Sequence, residues 1–276
     1  MRSYMILVAL IGLLATAPAF AVDGVILIDQ SLALAGNVTP ADTPGFPVTI
    51  NQPGSYRLSG NLTVPDADTT AIEITANNVT VDLNGFVVRG PTSCTVRQQQ
   101  QIGDPPAPVA LCAPTGSGRG VKAPARVNIA VLNGTVRGMG SIGLELGDRA
   151  RIERVRIESN GDSGIVVSDF ALIVGNSVGL NWNGVLSGGF GNIFKGNTIY
   201  QNHGDGIRAL HKNLLLLGNS VSWNGGHGIH VVALGGSEPA LNGSAGLAHN
   251  SLVGNGLGPG GGINLGGNVC GNALCP

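Results

Sequence analysis

The stretch IERVRIESN (residues 152–160) is followed by IVGNSVGLN (173–181), FKGNTIYQN (194–202) and LLGNSVSWN (216–224). Each segment opens on an apolar residue, places Val155, Asn176, Asn197 or Asn219 three residues on, returns to an aliphatic (Ile157, Val178, Ile199, Val221), and ends on Asn160, Asn181, Asn202 or Asn224. Within five residues comes Gly and a branched aliphatic: Gly164-Ile165, Gly184-Val185, Gly206-Ile207 and Gly228-Ile229. These aliphatics recur at intervals of 20, 22 and 22 residues. A fixed period of that size is the mark of a repeat architecture.

Inside a unit, apolar and polar residues alternate over short runs separated by Gly and Asn, which is strand-and-turn chemistry rather than a 3.6-residue helical period. One unit is too small to bury a core alone. Units of two or three short strands, each touching only its neighbours, build a parallel β-solenoid around a single aliphatic stack. An Asn at the same corner of every unit can bond the turn backbone and the Asn of the next coil, forming a ladder.

The pattern I-x-x-N-x-I-x-x-N followed by G-I resembles the right-handed parallel β-helix repeat of the pectin-lyase-like superfamily. The resemblance implies an all-β, single-stranded right-handed parallel β-helix (solenoid) of about eight coils with an N-terminal cap. It leaves the activity open, because lyases, hydrolases, epimerases, adhesins and metal-pathway periplasmic proteins are alike at this level.

Residues 1–21 read as a secretory signal peptide, with Arg2, an apolar run from Met5 to Ala17, and Ala19-Phe20-Ala21 as the cleavage signal. The apolar run is shorter than the roughly 20 residues a membrane span needs. The expectation is a secreted or periplasmic chain cut after Ala21, with no membrane insertion of the mature part. Residues 22–47 are expected to cap the first coil, strand-like at Val25–Ile28 and loop-like afterwards. Residues 48–276 form the helix itself, interrupted by insertions at about 91–119 and 235–244. Cys94 and Cys112 bracket the first insertion and Cys270 and Cys275 lie near the end of the chain, so each pair is expected to be oxidised in an exported protein.

Gly numbers 45, aromatics are 4% and charged residues 11%. That balance suits a Gly- and Asn-turned β stack and argues against disorder. With a net charge of −1 and no basic run, the sequence offers little to a phosphate backbone, and nucleic acid is not expected as a partner.

Side chains alternate along a strand, so the residue after each inward aliphatic faces out. Taken coil by coil that column reads Glu73, Lys122, Glu145, Val166, Leu186, Arg208, His230 and Asn264. Its bland reading is a solvated ladder of alternating charge. The turn before each strand gives a second column: Ser163, Asn183, Asp205 and His227. Asp205 and His227 lie one coil apart, and Arg208 and His230 are expected side by side. His203, His211, His227 and His230 fall within 28 residues, together with Asp205, Arg208 and Trp182.

Asp beside His orients an imidazole for acid–base work, and Arg is a bidentate partner for a uronate carboxylate. Asp205 and His227 are the candidate catalytic pair; Arg208, His230, His203 and Trp182 are the candidate substrate contacts. Gly226-His227-Gly228 resembles part of the polygalacturonase pattern, but the adjacent Asp pair, the N-T-D and the R-x-K are missing, so two-carboxylate glycoside hydrolysis is not visible. Calcium-dependent lyase chemistry would need clustered carboxylates, and those on these coils are scattered singly.

The function expected is binding or processing of an acidic polysaccharide, with no cofactor and no resident metal. Two alternatives stand beside it. One is a non-catalytic structural or surface-binding module, with Trp182, Tyr200 and Trp223 on adjacent coils available to stack on a glycan or to fill corners. The other is a periplasmic copper- or zinc-binding protein using His203, His227, His230 and Asp205.

Overall fold

The computed structural model describes residues 24–101, 104–211, 213–232, 245–271 and 273–275. The leader at 1–21 and the second insertion at 235–244 lie outside the described residues.

A typical coil carries three short strands, as in Val185–Ser187, Ile193–Lys195 and Thr198–Tyr200. Corresponding strands of successive coils pair in parallel. One face is a regular eight-stranded sheet running from Val48–Ile50 through Ile72–Ile74, Val121–Ala123, Leu144–Leu146, Ile165–Val167, Val185–Ser187 and Ile207–Ala209 to Ile229–Val231. The other two faces merge into an 18-stranded sheet, because Ile129–Arg137 and Arg151–Glu158 each run unbroken around a corner. The solenoid has about nine turns, in keeping with the expected number to within one terminal turn.

Alternation explains the interior. Ile165, Val185, Ile207 and Ile229 are all fully buried, each paired in register with the next coil's equivalent. They belong to one continuous aliphatic core with Ile173, Phe194 and Leu216. The core lengthens with each coil instead of widening, which lets the described coils share one thin apolar centre.

The corners hold the buried polar residues. Asn160, Asn181, Asn202, Asn224 and Asn255 form the expected ladder: each side-chain amide donates to the next Oδ1 at 2.8–3.2 Å. A second ladder, Asn176, Asn197, Asn219, Asn250 and Asn268, runs along the neighbouring corner at 2.9–3.0 Å. The Gly of each Gly-aliphatic pair makes room for the first ladder. A Cβ on Gly164, Gly184, Gly206 or Gly228 would come within 2.7–2.9 Å of a ladder Nδ2.

Three places depart from the sequence reading. After the expected strand Val25–Ile28, the segment is not loop-like but turns one short helix, Gln30–Ala35. Asp29 caps it by accepting the Leu32 N–H, and Gly36 ends it in the left-handed region at φ 72°. The first insertion is not patternless: Thr95–Gln101 and Asp104–Leu111 pair as an antiparallel hairpin. Its Gln- and Pro-rich strands hid it, since Pro is depleted in strands and the run shows no apolar alternation.

The third departure is Asn264. It does not continue the outward column but pairs with Leu247 in the larger sheet, and Ile263 beside it is 39% exposed rather than inward. His230 instead bridges to Gly260.

Both expected disulfides, Cys94–Cys112 and Cys270–Cys275, are present. The first closes the hairpin base next to the Thr95–Leu111 pair. No helix among the described residues is long and apolar enough to cross a membrane.

Candidate functional site

The outward column of the eight-stranded sheet keeps the expected order from Glu73 to His230, with Thr49 added ahead of it. Lys122 bonds Glu73 at 2.8 Å, while Glu145 turns sideways to Arg119 at 2.7 Å. These partly exposed pairs contribute at most about 1 kcal/mol each and carry no distinctive chemistry. Val166 and Leu186 then make an apolar break. Arg208 and His230 follow as direct strand neighbours.

Asp205 sits in the turn that leads into Ile207–Ala209, its N–H bonded to Asn183 Oδ1 of the preceding coil at 3.1 Å. Its residue is 9% exposed. Asp205 Oδ1 accepts the His227 backbone N–H at 2.8 Å and lies 3.4 Å from His227 Nδ1, while Oδ2 is 3.0 Å from His230 Nδ1. One carboxylate therefore organises two imidazoles. The expected Asp205–His227 contact is there, but the shorter side-chain bond goes to His230. The two rings stack, centroids 4.1 Å apart and planes 27° off parallel.

Glycine backbone shapes the cluster. A Cβ on Gly226 would stand 2.4 Å from Asp205 Oδ1, and one on Gly260 would stand 3.1–3.2 Å from both imidazoles. The next coil passes close by at these points, with His227 bridged to Leu257 and His230 to Gly260. In Gly226-His227-Gly228, then, the first Gly admits the carboxylate and the second admits the Asn255 amide.

The remaining expected residues divide. Arg208 is exposed and has no ion-pair partner among the described residues. Trp182 and His203 follow the ladder residues Asn181 and Asn202 on successive coils; their rings meet at 4.3 Å, and Trp182 is 38% exposed. His203 Nδ1 is buried without a hydrogen-bond partner, yet His203 does not join the cluster of facing ligand atoms, which among the described residues consists of Asp205, His227 and His230. His211 lies apart, against Phe190. Tyr200 and Trp223 fill corners, their rings lying over Gly179 and Gly254.

With Nδ1–H donated to Asp205, an imidazole keeps its lone pair on Nε2 and can take a proton from a bound molecule. Arg208 beside it can neutralise a carboxylate. What the sequence did not reveal is the cover given by Leu257 and Gly260, because the enlarged coil between His230 and Gly260 breaks the 22-residue count.

A search of curated protein sequences finds no significant match. Among solved structures, the chain is similar to the Dettilon tailspike protein gp208, at 13% identity and a TM-score of 0.50, over 75% of this chain and 41% of that one. It thus spans about two-fifths of the tailspike's length. Two mutant structures of the periplasmic alginate epimerase AlgG share 17% identity at TM-scores of 0.43 and 0.42, each over 82% of this chain and 70% of that one. At 13% identity the likeness to the tailspike is one of fold. The model of the right handed beta helix region matches residues 117–273, more than half of the chain and the same coils that carry both Asn ladders and the Asp–His cluster, and the protein belongs to that family.

Proposed function

We propose that this protein binds an acidic polysaccharide across the C-terminal end of its eight-stranded face and processes it by proton transfer. The observation that carries the reading is the single Asp205 carboxylate holding His227 and His230, with exposed Arg208 on the adjoining strand. A uronate carboxylate would sit against Arg208, and the Nε2 of a neighbouring imidazole would act on the sugar ring. Trp182 and His203 offer an aromatic shoulder to the same chain of sugars. A fold shared with a tailspike and an alginate epimerase accommodates this reading without supplying it. Two disulfides and the leader-like N-terminus favour a periplasmic or secreted setting.

The test is calorimetric titration of alginate and galacturonate oligomers into the wild type, Arg208→Ala and Glu73→Ala, with product analysis alongside. Arg208→Ala should weaken binding at least about tenfold, the loss of a charge-assisted bidentate contact, and Glu73→Ala should leave it unchanged. Equal affinity in all three, or no binding by folded wild type at millimolar oligomer, would retire the proposal in favour of a structural module.

A further inference from the structure

Three potential ligand atoms gather in the Asp205 cluster. Ligand atoms from Asp205, His227 and His230 all lie within 4.8 Å of one another. His230 Nδ1 lies 3.0 Å from Asp205 Oδ2 and His227 Nδ1 3.4 Å from Asp205 Oδ1, each close to the roughly 3.3 Å between two ligand atoms on a tetrahedral ion with bonds near 2.0–2.1 Å. Both imidazoles turn the same nitrogen, Nδ1, toward one carboxylate.

We infer that Asp205, His227 and His230 form a three-ligand site for a divalent, imidazole-preferring transition metal, zinc or copper, with an open coordination position. On loading, the ion replaces the two Nδ1–H···carboxylate contacts, and each neutral ring moves its proton from Nδ1 to Nε2, so charge and protons balance without another reactant. Backbone N–H of His227 keeps Asp205 Oδ1 oriented, as an outer partner of a ligating carboxylate does. Gly226 and Gly260 leave the space that a Cβ would fill. The side chains of His227, His230 and Asp205 are 25%, 30% and 12% exposed, which leaves one flank open to water or a ligand oxygen. Two nitrogens and one oxygen suit zinc or copper rather than calcium or magnesium, which want all-oxygen shells.

The inference shares its site with the glycan reading but does not depend on a glycan. It does make the two chemistries exclusive, since a ring bound through Nδ1 carries its proton on Nε2 and is no longer a base there. A loaded site would instead coordinate a uronate carboxylate beside Arg208.

The experiment titrates zinc sulfate, and separately copper sulfate, into chelator-treated full-length mature protein with no sugar present. One saturable equivalent per chain is expected, copper binding the tighter. His227→Ala and His230→Ala should each weaken uptake at least about tenfold, and His211→Ala should not. Paramagnetic resonance of the copper form should report two coupled nitrogens, falling to one in His230→Ala. Absent saturable uptake by folded wild type, a copper spectrum without nitrogen coupling, or full uptake by a folded His227→Ala/His230→Ala double variant would each overturn the site. Oligouronate binding by the chelated protein, with Arg208→Ala as its control, tests the glycan reading separately.

Discussion

Asn202 accepts the backbone N–H and side-chain amide of Asn181 on one side and donates its own pair to Asn224 on the other. It is fully buried, so no water replaces a lost partner. Asn202→Ala should therefore cost about 1–3 kcal/mol, read from reversible denaturant unfolding; a loss below about 0.5 kcal/mol would mean the ladder bonds are not made. Gly226→Ala tests the same tightness at the cluster. Its Cβ would crowd Asp205 Oδ1, so the variant should fold with its Asp205–imidazole bonds disturbed, seen as shifted His227 and His230 ring-nitrogen resonances. Unmoved resonances would show that the close approach is not real. At this scale the sequence was highly legible, because a residue one period away in the chain is one strand away in space. The second Asn ladder was not read from the sequence, because the fourth-position Asn of IVGNSVGLN looks like an ordinary polar spacer until the corner geometry is known.

Elements were legible where they repeat and obscure where they do not. Outward residues from Glu73 to His230 fall in register because each strand is fixed by its inward apolar residues, joined from Ile165–Val167 onward by a corner Asn ahead of the strand. The helix Gln30–Ala35 is too short to show a period, and only Asp29 and Gly36 mark its ends. The frame was lost after His230, where extra residues shift Gly262-Ile263 out of the column that Gly260 actually continues. The hairpin Thr95–Leu111 is closed at its base by the disulfide and tied to the coils by Ala110 N–H on Gln201 O at 3.1 Å. Replacing Cys94 and Cys112 together with Ser should lower stability by about 3 kcal/mol, the entropy of closing such a loop, while non-reducing peptide mapping of the wild type returns the Cys94–Cys112 and Cys270–Cys275 peptides. A crossed pairing, or free thiols in exported material, would contradict that arrangement.

For the whole molecule, a solenoid distributes its stability coil by coil and leaves long flat faces, so its chemistry depends on which side chains the period happens to stack. Most of the outward column is inert in this sense: two ordinary ion pairs, then Val166 and Leu186. Only at the last strands of the eight-stranded sheet do Asp205, Arg208, His227 and His230 gather. That gathering was predictable from period and alternation; the sharing of one carboxylate by two rings was not, because it depends on how the turn at Gly226 brings His227 and His230 to the same side. The proposed function requires the ligand to engage this cluster. The most direct measurement follows the imidazole nitrogens of His227 and His230 by nuclear magnetic resonance while a uronate oligomer is added to the folded protein. Saturable shifts of both rings, lost in Arg208→Ala, are the predicted result; binding that leaves both rings unmoved, or no change at millimolar oligomer, would contradict it.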